Sequence, residues 1–127
     1  MLLSLTLTRR LVIVRYLLQI GIEQSRKAEP LAGLAVLPLH DSVELFLQTA
    51  LEHRRGELRG SKDFLSYWPA LEEKGVTLTQ KEGMRRFNNA RVSVKHHGML
   101  PAHSNLEEFR AMIGSFLSEN CTTIFAK

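Results

Sequence analysis

A single cysteine, Cys121, stands among the 127 residues of this chain, so no internal disulfide can form and a zinc site built on several thiolates is excluded. The four prolines are scattered, tryptophan occurs once, and aromatic residues make up only 7%. No segment alternates apolar and polar residues for long, no Asn-Gly or Asp-Gly hairpin signal occurs, and β-branched residues are dispersed, which argues against a sheet. The eight glycines never gather into a phosphate-cradling loop. A G-x-S-x-G elbow, an H-E-x-x-H helix and an acidic calcium loop are equally missing, which sets aside the enzyme classes built on them. Long apolar runs are lacking too. Arg9, Arg10 and Arg15 cut the Leu-, Ile- and Val-rich start into pieces of about seven residues, far below the roughly 18 to 20 that span a bilayer. A charged start, an apolar block and a small-residue cleavage site do not follow one another there, so a signal peptide is not expected either.

What is present is 44% hydrophobic and 24% charged residues, the profile of one compact domain, 1–127, able to bury a core without staples. Seventeen Lys and Arg against thirteen Asp and Glu give +4, a balance that favours a polyanionic partner. Leu3, Leu7, Leu11, Val14, Leu18 and Ile22 recur at helical spacing and predict a core helix. Glu29-Pro30 opens a second helical stretch, in which Pro38 should kink or restart the helix and Leu39, Val43, Phe46, Leu47, Ala50 and Leu51 form the buried row. It should stop at Arg55-Gly56, with the glycine as cap. Ser61 is expected to cap a short helix broken near Pro69. Thr79-Gln80-Lys81-Glu82 and Ser104-Asn105-Leu106-Glu107 read as capping boxes. They open a helix from about Gln80 to His97, with Met84, Phe87, Ala90 and Val94 inside, and a last helix on Leu106, Phe109, Ile113, Phe116, Leu117, Cys121 and Ile124. The expected fold is all-α, an up-and-down four-helix bundle with an additional short helix.

One dense polar block remains. Residues Arg85 to Gly98 read R-R-F-N-N-A-R-V-S-V-K-H-H-G. A histidine can exchange a proton with a ribose hydroxyl or a leaving oxygen near neutral pH, and an arginine can hold two oxygens of a charged phosphoryl transition state. Arg91 and His96 are five positions apart, about 140° around an ideal helix, so they do not share a face. Convergence requires the long Arg91 side chain to swing round, a distorted helix, or a second subunit. The alternative is a solvated face whose cations complement the helix C-terminus. His40 and His53 read as structural, and Cys121 as a core thiol.

The block resembles the motif helix of the HEPN superfamily (higher eukaryote and prokaryote nucleotide-binding domains), whose signature is Arg, four to six residues, then His near the end of a helix. Arg91 to His96 fits with four intervening residues and Arg91 to His97 with five. Leu39 to Glu52 is similar to the family's early amphipathic helix, and the likeness in helix order runs from about Leu31 to Phe125. Many active members carry a polar residue after the Arg, where this chain has Val92, with Asn88 and Asn89 just upstream. The resemblance implies a homodimer with facing motif helices. In active relatives it implies a metal-independent endoribonuclease leaving a 2′,3′-cyclic phosphate, often within toxin-antitoxin or antiviral systems; other relatives bind RNA, nucleotides or proteins without catalysis. On this reading Arg91 and His96 are catalytic, while Asn88, Lys95 and His97 bind or position the RNA. No cofactor, metal or membrane is involved, the location is cytoplasmic, and an antitoxin or regulatory protein is a candidate partner.

Overall fold

A computed structural model describes residues 4–125, and all its regular structure is helical. Helix α1 (Leu5–Ser25) begins after Ser4, whose hydroxyl accepts the Leu7 N–H at 3.1 Å. Val14 and Gly21 are buried on its inner face, with Leu11 and Leu18 packed beside them. Leu3, the first position of the expected row, lies outside the described residues. The outer face of α1 leaves Leu5, Val12, Ile13, Tyr16 and Ile20 exposed.

A 3-10 turn, Leu31–Ala35, leads directly into α2 (Val36–His53). The α-helix starts two residues before Pro38, which sits in the first turn, where its missing N–H has no intrahelical partner to lose. Helices α1 and α2 form the most extensive contact in the molecule. Gly21 permits it, since a Cβ there would stand 2.5 Å from the Leu39 Cγ and Cδ2 and 3.2 Å from the Leu39 nitrogen. The buried Ser42 hydroxyl donates to the Val14 carbonyl at 2.8 Å, and Arg10 pairs with Glu52 at the far end. Helix α2 ends as expected near residue 55, but the left-handed residue is Arg55 (φ 57°), one before Gly56.

Several local expectations are corrected. Ser61 caps nothing: a 3-10 turn, Phe64–Ser66, follows Asp63 and passes into α3 (Tyr67–Glu72). Pro69 lies in the first turn of α3 and does not break it. Helix α4 (Lys81–His97) follows a left-handed Gln80, with no side-chain cap. The Thr79 hydroxyl instead donates to Glu119 Oε1 at 2.8 Å and accepts from Asn120 Nδ2 at 2.9 Å, both on α5. Helix α5 (His103–Phe125) starts at His103, so Ser104 is inside the helix, and no capping box forms there either. Gly98, with φ 64°, ends α4 in the left-handed conformation that a glycine adopts without strain.

The core runs the length of the molecule. Phe46, Leu39 and Leu47 from α2, Leu71 from α3, Met84 and Phe87 from α4, and Leu106, Ile113, Phe116 and Ile124 from α5 are all fully buried. The inner row of α4 fixes which of its flanks face outward, and so positions the site described next. Among the described residues no helix is long and apolar enough to cross a membrane.

Candidate functional site

Lys81, Arg85, Asn88 and Val92 are spaced four, three and four apart, which aligns them along one flank of α4. That flank, with Arg91 beside it, faces α2 and the segment that leads into α3. Between them lies a cavity of about 650 Å³ lined also by His40, Glu44, Lys62, Asp63 and Phe64. Four cations therefore meet two carboxylates around one space. Arg85 is 3.5 Å from Glu82, whereas Lys62, Lys81 and Arg91 have no carboxylate within 4.0 Å among the described residues. The cavity offers more positive charge than its own acids neutralise.

His40 forms part of its floor. The residue is 1% exposed, and its ring lies between Phe64, at 4.4 Å centroid to centroid, and Phe87, at 5.5 Å. Its Nε2 is 2.9 Å from Asn88 Oδ1. Among the described residues Nδ1 is buried without a hydrogen-bond partner, its nearest carboxylate being Glu44 at 4.0 Å. Burial pushes the imidazole down to about 4, and the positive charges of Arg91 and Lys95 act in the same direction against the Asn88 bond and Asp41. His40 is neutral at physiological pH.

The residues singled out from sequence separate into two groups. Asn88 and Arg91 line the cavity. Lys95, His96 and His97 are exposed in the last turn of α4 and do not line it, although Lys95 is near enough for its charge to bear on His40. The α-helix is continuous through His97, so no distortion near His96 turns it toward Arg91. Val92 lies at the cavity rim and is 38% exposed.

His40, Lys62, Lys81 and Arg85 are the lining residues that spacing alone did not mark as a group. His40 carried a signal: it falls on the row of Val36, Val43 and Leu47, a polar ring on the buried face of α2. Cys121 is half-buried in the α5 row, and burial raises its thiol, which disfavours the nucleophilic thiolate. On the opposite flank of α4 a second cavity of about 420 Å³ is bounded by Arg86, Asn89, Ser93, Asn105 and Phe109.

Chemically, the first cavity can seat an oxyanion. Arginine offers paired N–H donors to two oxygens, lysine adds charge, and the low-dielectric floor strengthens both effects. Among the described residues no group of three His, Cys, Asp or Glu side chains is arranged to hold a metal ion. Compared with known protein families, curated proteins and solved structures, the chain matches none significantly.

Proposed function

We propose that this chain is a cytoplasmic RNA-binding domain of HEPN type, an up-and-down four-helix bundle whose reaction is metal-independent endoribonucleolytic cleavage. The observation that carries the RNA-binding part is the convergence of Lys62, Lys81, Arg85, Arg91 and Asn88 on one cavity with a neutral imidazole in its floor. A phosphodiester is the anion this donor set suits: Arg91 spans two oxygens, and the lysines neutralise the neighbouring backbone charge. Cleavage needs a proton carrier as well. In the proposal His96 supplies it, with His97 beside it, by facing Arg91 across a homodimer in which two α4 helices meet over the strand.

The position of His96 outside the cavity favours a second reading, non-catalytic binding of RNA or nucleotides, with an antitoxin or regulatory protein as partner. One assay separates the two: a mixed RNA pool incubated in EDTA with wild-type protein and with folded Arg91→Ala and His96→Ala variants. Cleavage that both substitutions abolish supports the enzyme, with 2′,3′-cyclic phosphate ends as its product. RNA bound by the wild type and weakened by Arg91→Ala, without cleavage, supports the binding module. RNA neither bound nor cut overturns the enzyme and the RNA-binding reading alike.

A further inference from the structure

Among the described residues Asn88 is the only neutral amide lining the cationic cavity, and one end of it is already engaged by His40. Which end faces the cavity depends on where His40 carries its proton. A proton on Nε2 is donated to Asn88 Oδ1 over 2.9 Å and leaves a bare lone pair on Nδ1. A proton on Nδ1 would be a buried donor without an acceptor in reach, since the Glu44 carboxylate stands 4.0 Å away, and Asn88 would have to reverse. An orphaned buried N–H is among the rarer and costlier defects of a folded protein, whereas an under-used acceptor is better tolerated. The ring is packed on Phe64 and Phe87, so it cannot readily rotate to find another partner.

We infer that His40 is a positioning residue for an oxyanion seat: its Nε2–H holds Asn88 Oδ1 and so turns the Asn88 amide N–H groups into the cavity as donors for one phosphate group. An unanchored asparagine presents oxygen or nitrogen to a ligand with similar ease, and its oxygen would repel a phosphate. Anchored by His40, it offers nitrogen alone beside Arg91, Arg85 and Lys81. The polar side chains that meet the ligand on this flank of α4 are then all donors, matching an ionised phosphate, whose oxygens only accept. The inference rests on the RNA-binding reading for its ligand, but the tautomer is a property of the protein alone.

The test uses the full chain. Two-dimensional ¹⁵N–¹H spectra of the histidine rings at pH 7 report the tautomer, and the affinity for one short single-stranded RNA is measured for wild type, His40→Phe, His40→Gln, Asn88→Ala and Arg91→Ala. The expected result is a neutral Nε2–H ring at His40 and a loss of about fivefold in affinity for His40→Phe, the worth of one hydrogen bond. His40→Gln, which keeps an N–H donor, restores most of that loss, and His40→Phe combined with Asn88→Ala loses no more than Asn88→Ala alone. An Nδ1–H ring overturns the inference, and this readout needs no variant to fold. RNA binding weakened by Arg91→Ala but untouched in folded His40→Phe overturns it alone, while wild-type protein that binds no RNA overturns the RNA reading with it.

Discussion

His40 and Asn88 are 48 positions apart in sequence, yet their side chains meet at 2.9 Å and tie α2 to α4 at the floor of the cationic cavity. The contact joins a buried row of one helix to the outward flank of another. A change at either residue is therefore felt both in stability and at the site.

Stability should fall with acid through His40. Its imidazole is held from 6.5 down to about 4, so between those values the unfolded chain takes up a proton that the folded chain refuses. The sign follows: the unfolded state binds more protons, and stability drops as pH falls from about 6.5 to about 4, by roughly 3 kcal/mol for this group. Burial sets most of the effect; Arg91 and Lys95 on α4 add to it, the Asn88 bond and Asp41 oppose it, and the Glu44 carboxylate faces the ring at 4.0 Å. Urea unfolding across this range should show the stability gap between wild type and His40→Phe changing in the variant's favour as pH falls; a constant gap would assign the acid sensitivity elsewhere.

Removing the Arg91 guanidinium should weaken the proposed RNA binding by about tenfold and flatten its dependence on salt. One phosphate contact contributes about 0.7 to the logarithmic salt slope on a single strand. Titrations at several salt concentrations measure both quantities, and an unchanged slope would place the phosphate contact on other cations.

Gly21 is where α1 and α2 come closest. Gly21→Ala would drive a methyl group to 2.5 Å from Leu39, and neither helix can yield without disturbing the Ser42 to Val14 hydrogen bond. The expected loss is about 1 to 3 kcal/mol, the usual range for overpacking, despite the better helix propensity of alanine. Thermal or urea unfolding reads it directly.

The proposed homodimer brings two α4 helices together, and the exposed apolar side chains at that end of α4 are Val92 and Met99, beside Lys95 and His96. Light scattering at micromolar concentration should give the mass of two chains for the wild type and of one for the Val92→Glu, Met99→Glu double variant, with helical content unchanged. A variant that stays dimeric places the contact on another face.

The helical class was legible because rows such as Met84, Phe87 and Val94, or Phe109, Ile113 and Phe116, repeat at helical spacing and are buried as that spacing requires. The caps were not. Thr79 has the residue pattern of a capping box, but its hydroxyl is taken by Glu119 and Asn120, partners about forty positions away that no local pattern reveals. Part of the cavity lining lies within one block, since Arg85, Asn88 and Arg91 belong to both. His40 reads as one more member of an apolar row, and the angular separation of His96 from Arg91 is what a spacing of five on a regular helix requires.

The Thr79 cluster also makes the last helix a guarantor of a site it does not border. Lys81 enters the cavity two residues after Thr79, whose carbonyl accepts from the Trp68 indole while its hydroxyl is clamped by Glu119 and Asn120. Helix α5 thus works as a remote fastener for the cationic rim: loosening its final turns would let Lys81 wander and would degrade ligand recognition with every lining residue still in place.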